Sequence, residues 1–285
     1  MELWFSENHT VNVMLSIKVK RQIYSGKSKF QDIGVFESEE VGRFLTLDEY
    51  LMLTEKDEFI YHEMMVHVPM AVHPGVENVL IIGGGDGGIV RELTRYQTVK
   101  RIDLVEIDEM VVEVCKKYLP FTACKLDDER VSIHYEDGLD YISRYTGEYD
   151  LIIVDSTDPI GPGESLFTEE FYKRCYNALK ADGVMVNQHE SPFYGEDIEA
   201  MLPIHSKIAK VFPVSTVYQA HIPTYSSGHW LFGFASKKTD PILDFDAARW
   251  DTLGIGTKYY NTRLHTGAFA LPTYVEELLR EAESN

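Results

Sequence analysis

The chain has 285 residues, with 27 Lys and Arg against 46 Asp and Glu, for a formal net charge of −19 at pH 7. Its 44% hydrophobic and 12% aromatic content is that of an ordinary globular protein and excludes a disordered or fibrous chain. The charge repels phosphate backbones and anionic membrane surfaces, so no nucleic acid and no membrane is expected as a partner and a cationic ligand is favoured; solubility alone also accounts for it.

No apolar run reaches the roughly 20 residues that a membrane span needs. The N-terminal MELWFSENHTVN lacks a basic stretch followed by an apolar core, so no secretory signal is read there. Cys115, Cys124 and Cys175 have no metal-like spacing, and their odd number argues against a disulfide scaffold. These features predict a soluble, cytoplasmic protein.

Residues 11–20 and 30–47 alternate apolar and polar side chains and are broken by Gly and Ser. They predict a small antiparallel β domain over residues 1–56. A helix is predicted from about Asp57 through His67, closed by Pro69 and Pro74-Gly75. From Asn78 onward, short β-branched runs (78–85, 101–108, 130–137, 149–156 and 183–190) alternate with helical stretches (89–96, 109–119, 138–145 and 168–180). Strands apolar almost throughout, each followed by a helix, indicate a mostly parallel sheet with helices on both faces. Residues 57–285 are therefore read as one α/β domain of Rossmann type. Its ligands belong beyond the carboxyl ends of the strands.

The first of these strands runs into Gly83-Gly84-Gly85-Asp86-Gly87-Gly88. Gly83 and Gly85 allow a tight turn and a close approach of backbone to ligand. NAD enzymes, methyltransferases and plain turns all show such loops. Asp86 inside the loop is a poor neighbour for pyrophosphate and tilts the reading towards a ligand carrying positive charge. The second strand ends at Glu106, at the distance from the glycines where a carboxylate accepts hydrogen bonds from both ribose hydroxyls; Asp108 is read as a helix N-cap. At the third strand end, Asp137 is suited to an exocyclic amino group, and Gly138 leaves room for a ring. The fourth strand ends at Asp155 and continues Ser156-Thr157-Asp158-Pro159-Ile160-Gly161-Pro162. Two carboxylates facing a pocket that already holds Asp86 suggest an amine substrate, one anchoring its ammonium and another accepting a proton.

Taken together, these segments resemble the polyamine aminopropyltransferase family, the spermidine synthases among them. The resemblance is carried by Phe30-Gln31, Tyr61-His62-Glu63-Met64, Gly83 to Gly88, Glu106-Ile107-Asp108, Asp137-Gly138, Asp155 to Pro162, Gln188 and Ile222-Pro223-Thr224-Tyr225. It spans nearly the whole chain. It implies a methyltransferase-like Rossmann domain preceded by the small β domain, and a homodimer or homotetramer. It implies transfer of an aminopropyl group from decarboxylated S-adenosylmethionine, a co-substrate, to putrescine, with no cofactor and no metal. By position, Gln31, Glu106, Asp137, Gly138 and Pro162 would hold the nucleoside, with Gly83 and Gly85 beside it. His62 and Asp86 would contact the aminopropyl or polyamine chain. Tyr61, Ser156, Thr157, Asp158, Gln188 and Tyr225 would bind the amine, and Asp155 would take its proton.

Three stretches depart from the family pattern. Ser226 follows Tyr225 where many relatives have Pro, and Leu47-Asp48-Glu49-Tyr50 replaces a Leu-Asp-Gly turn. Glu190 adds a carboxylate that would serve a more basic acceptor such as agmatine, or lie on the surface. Trp230 either closes the acceptor pocket or belongs to the sheet core. Two rival readings stand beside this one. A methyltransferase using intact S-adenosylmethionine is disfavoured by Asp86, which would repel the donor's carboxylate. A silent nucleoside- or polyamine-binding protein would need neither Tyr61 nor Asp155.

Overall fold

The computed structural model describes residues 2–156 and 161–284, the side chains of residues 161, 162 and 164 excepted. The N-terminal β structure consists of two antiparallel sheets. Strands β1 (Leu3–Thr10) and β2 (Val13–Val19) form a hairpin, and β3 (Arg21–Lys27), β4 (Asp32–Ser38), β5 (Gly42–Leu47) and β6 (Tyr50–Thr54) form a four-stranded meander. Phe5 and Ile17 of the hairpin share a core with Phe44 and Leu51 of the meander. Between β5 and β6, Leu47 faces Tyr50 across a two-residue turn in which Asp48 and Glu49 have φ of 48° and 70°. Such a turn matches the twist of the strands, yet it places two non-glycine residues in the left-handed region. Asp48 is held there because its Oδ1 accepts from the Asp32 amide at 2.7 Å.

Helix α1 (Glu58–Val72) runs past His67 and through Pro69, where the sequence reading ended it. Pro69 cannot donate to the carbonyl of Met65, a loss that breaks an exposed helix. Here every residue of α1 except Phe59 is buried, and the surroundings hold the helix. The Tyr218 hydroxyl donates to the Met64 carbonyl at 3.0 Å, and Glu63 accepts from the amides of Lys258, Tyr259 and Tyr260, each at 2.8 Å.

The large sheet contains β7 (Asn78–Gly83), β8 (Arg101–Val105), β9 (Val131–His134), β10 (Tyr149–Asp155), β11 (Leu179–Gln188), β12 (Val214–His221) and β13 (His229–Ser236). Their order is β12-β13-β11-β10-β7-β8-β9. The first five in chain order are parallel, and β13 and β12 add an antiparallel edge. Alternate residues feed two cores: Val79, Ile81, Leu151 and Ile153 on one face, Leu80, Ile82, Ile152 and Val154 on the other. The first face packs against α1, α2 (Gly88–Leu93), α3 (Glu109–Tyr118) and the short α4 (Pro120–Ala123), the second against the short α5 (Gly138–Ile142), α6 (Glu169–Ala178) and the later half of α7 (Gly195–Val211). Helices α8 (Ala247–Thr252), α9 (Thr262–Ala268) and α10 (Thr273–Ser284) complete the chain. No helix among the described residues is long and apolar enough to cross a membrane.

Strand order reverses between β7 and β10. The chain steps outward from β7 through β8 to β9, then returns to lay β10 on the other side of β7. At such a switch point the loops leave in opposite directions and open a crevice at the carboxyl ends of both strands.

Candidate active site

Gly83 ends β7 directly opposite Asp155, which ends β10. The two strand ends are in such close contact that a Cβ on Gly83, at φ +81°, would collide with the Asp155 carbonyl oxygen; only glycine fits. The Gly84 amide donates to that same oxygen at 3.0 Å. Asp155 is thereby fixed at the floor of the crevice. Its Oδ1 accepts a 2.6 Å hydrogen bond from the Tyr61 hydroxyl of α1, and its Oδ2 has no hydrogen-bond partner among the described residues. Burial pushes the Asp155 carboxyl up to about 6 and the Asp86 charge adds to this, while the Tyr61 hydrogen bond pulls the other way. The pair presents one oriented oxygen and one open oxygen, an arrangement able to accept a proton.

A second group of residues lines the crevice on the β8–β9 side. Glu106 accepts from the Gly85 amide at 3.2 Å with Oε2 and from the Asp108 amide at 2.9 Å with Oε1. Burial raises its carboxyl to about 7 and the Asp108 charge adds to this, while the two backbone amides pull the other way. Asp108 caps α3, as expected, by accepting from the Met110 amide at 3.1 Å. Its other oxygen accepts from Ser28 Oγ at 2.6 Å and Gln31 Nε2 at 3.0 Å, which draws the β3–β4 loop over the crevice. Asp137 caps α5 through Oδ1, receiving the Leu139 and Asp140 amides at 2.8 and 3.1 Å. Gln31, Glu106, Asp137, Gly138, Asp155 and Leu166 line one continuous cavity. Of the expected nucleoside residues, Pro162 lies in the 3-10 helix Gly161–Phe167 with its side chain outside the described residues.

The expected amine residues do not all come together. Tyr61, Asp86 and Asp155 converge, whereas Thr157 and Asp158 lie outside the described residues. Ser156 Oγ is buried beside Asp155 with no hydrogen-bond partner among the described atoms. Gln188 and Glu190 pair with each other at the end of β11. Gln188 Nε2 donates to Glu190 Oε1 at 2.8 Å, and the Glu190 amide donates to Gln188 Oε1 at 3.2 Å. Glu190 is 4% exposed at φ 68°, so it does not lie on the surface, one of the two placements read from sequence. The Tyr225 hydroxyl donates to the Met52 carbonyl of β6 at 2.9 Å, and its ring meets Trp230 edge-on at 4.7 Å between centroids.

His62 does not present a free nitrogen to the crevice. Its Nδ1 lies 2.6 Å from Glu58 Oε2 and its Nε2 3.2 Å from Asp86 Oδ1. Glu58, Arg91 and Ser28 were not singled out from sequence. Glu58 sits four residues before His62 on one helix, a spacing that signals the pair. Arg91 lies 33 residues further on and carries no local signal.

Residues 58–247 match the Spermine/spermidine synthase domain, and residues 3–55 match the Spermidine synthase tetramerisation domain. The chain is 64% identical over 279 residues to a polyamine aminopropyltransferase of Clostridium beijerinckii, covering 98% of each chain. It is 62% identical over 283 residues to one of Alkaliphilus oremlandii, covering 99% of this chain and all of the other. A spermidine synthase crystallised with the transition-state analogue AdoDATO superposes with a TM-score of 0.95 at 47% identity, covering 98% of this chain and 95% of the other. The spermidine synthase of Thermotoga maritima superposes with a TM-score of 0.94 at 46% identity, covering 98% and 94%.

Proposed function

The chain belongs to the spermine/spermidine synthase family, and from that premise we propose that it transfers the aminopropyl group of decarboxylated S-adenosylmethionine to putrescine, giving spermidine and methylthioadenosine. The observation that carries this reading is the Tyr61–Asp155 pair, placed at the switch point with Asp86 beside it. The sulfonium carbon of the donor is already electrophilic, so the chemistry calls for neither a metal nor a covalent enzyme intermediate. The obstacle is the nucleophile, because an alkylamine is almost wholly protonated at neutral pH.

In the proposed step the amine nitrogen loses its proton to Asp155 Oδ2 and forms a bond to the aminopropyl carbon. The bond from that carbon to sulfur breaks, and its electron pair returns to sulfur as methylthioadenosine leaves. The Tyr61 hydrogen bond holds the Asp155 carboxylate in one orientation, so the open oxygen meets the incoming nitrogen. Glu106 takes the ribose hydroxyls, Asp137 and Gly138 the adenine, and Gln31 closes over the nucleoside from the N-terminal sheet. Asp86 Oδ2, which has no hydrogen-bond partner among the described residues, takes the donor's ammonium. Intact S-adenosylmethionine would bring a carboxylate to the same place, and the like charge disfavours it. The match of residues 3–55 supports assembly as a homodimer or homotetramer.

A turnover assay tests the proposal. The protein is given decarboxylated S-adenosylmethionine with putrescine, cadaverine, agmatine or spermidine, and methylthioadenosine and amine product are quantified together. Spermidine from putrescine as the dominant product is expected. A preference for agmatine would retain donor and base while reassigning the acceptor end, and no methylthioadenosine with any amine would overturn the enzymatic reading.

A further inference from the structure

Behind the pocket, four charged side chains form one unbroken chain of contacts. Arg91 of α2 grips Glu58 with both terminal nitrogens, Nη1 to Oε1 at 2.8 Å and Nη2 to Oε2 at 2.9 Å. Glu58 Oε2 also meets His62 Nδ1 at 2.6 Å, and His62 Nε2 meets Asp86 Oδ1 at 3.2 Å. The Gly88 amide donates to the same Asp86 oxygen at 2.9 Å. Arg91 is itself pinned by Glu92 Oε1 at 2.9 Å and the Phe121 carbonyl at 2.8 Å. His62, which the resemblance places at the aminopropyl chain, here has both ring nitrogens facing carboxylates.

We propose that Glu58 and Arg91 are positioning residues for the donor's aminopropyl end: they hold the His62 ring as an imidazolium in one orientation, and that cation keeps the Asp86 carboxylate aimed at the donor's ammonium. The inference rests on the function proposed above and deepens it at the donor site.

Three observations support it. A neutral imidazole donates through one nitrogen only, whereas both His62 nitrogens here face carboxylates, an arrangement that calls for two N–H groups. Burial opposes the cation, but Asp86 and Glu58 outweigh it and raise His62 to about 10. Glu58 stays ionised because His62 and Arg91 hold it near 2 against burial.

The groups facing His62 are Glu58 and Tyr61 of α1, Asp86 of the glycine loop, Arg91 of α2 and Asp155 of β10. The cation lowers the proton affinity of Asp155, whereas Asp86 raises it. Loss of the cation therefore has two separate consequences. Asp86 holds the donor less well, and Asp155 protonates at higher pH.

The experiment compares wild type, Glu58→Gln, His62→Gln and the double variant. Nitrogen-15 NMR of the free proteins reads the imidazole, and steady-state kinetics read both substrates across pH. The wild-type His62 ring is expected to remain doubly protonated through pH 9. In Glu58→Gln its proton affinity is expected to fall at least 100-fold, with KM for decarboxylated S-adenosylmethionine rising at least tenfold. Acceptor KM should change by less than twofold, and the acid limb of kcat/KM should move to higher pH. If Glu58 acts through His62, the double variant will match His62→Gln within twofold. A neutral His62 ring in wild type at pH 7.5, or defects that multiply in the double variant, would overturn the proposal. Where Glu58→Gln does not fold, Arg91→Lys, which keeps the charge and loses the two-pronged grip, takes its place in every comparison. A wild-type protein that makes no methylthioadenosine would remove the function proposed above, while the NMR reading would still decide whether this chain of charges holds an imidazolium.

Discussion

Asp155 is held by two different kinds of contact, and each can be removed separately. Its backbone is fixed by Gly83 and Gly84, and its side chain by Tyr61. Asp155→Asn keeps the shape and removes the base, so kcat is expected to fall by about 10²–10⁴. Methylthioadenosine affinity should stay within threefold, as calorimetry would show. The pH dependence follows from the raised carboxyl. Below about pH 6 Asp155 is protonated and cannot accept a proton, so wild-type kcat/KM should fall as pH drops through that value. The Tyr61 hydrogen bond favours the carboxylate, so Tyr61→Phe should move this limb to higher pH. A limb that stays in place would remove Tyr61 from its role. Much of this site was legible in the sequence, because a parallel sheet gathers its strand ends at one edge. Asp86, Glu106, Asp137 and Asp155 could be named before their distances were known. The hold of Arg91 on Glu58 was not legible, since it joins two helices whose packing only the tertiary structure sets.

At the scale of single elements, legibility followed burial. The strands β7 and β10 at the centre of the sheet are the most apolar and begin where they were expected, whereas β11 begins at Leu179, four residues early and inside the stretch read as helix, because Lys180 and Asp182 interrupt its apolar run. Helix α1 is buried almost all round, its Glu58, His62, Glu63 and His67 included, and has no solvent face to give it a period, so only Pro69 and Pro74-Gly75 suggested where it ends. Two elements lend themselves to test. Glu49 occupies the left-handed position of the β5–β6 turn at φ 70°, where a side chain costs about 1 kcal/mol relative to glycine. Glu49→Gly is expected to stabilise the protein by about 1 kcal/mol in denaturant melts with no effect on turnover. Helix α2 begins at Gly88 against the His62 ring. Gly88→Ala should destabilise by about 1–3 kcal/mol and raise KM for the donor more than for the acceptor.

Across the whole molecule, the N-terminal sheets and the Rossmann-type domain meet at both ends of the crevice. Ser28 and Gln31 reach Asp108 at the end proposed for the nucleoside. At the other end, the segment joining β12 to β13 is hydrogen-bonded to Asp57 by Thr224, to Met52 by Tyr225 and to Glu7 by Ser226. A nucleoside bound across this junction should stabilise the protein as a whole. At 100 times its Kd, methylthioadenosine would contribute about 2.7 kcal/mol, a rise in Tm of about 5 °C. Gln31→Ala should reduce that rise at the same ligand concentration, and an unchanged rise would place the nucleoside away from the N-terminal sheet. These hydrogen bonds of the β12–β13 segment carry a consequence for divergence within the family. Through Met52 and Glu7, the stretch that would select the acceptor is fastened to the part of the chain that matches a tetramerisation domain. A heritable change in one therefore disturbs the seating of the other, and substrate range and subunit assembly are expected to drift together across descendants of this sequence.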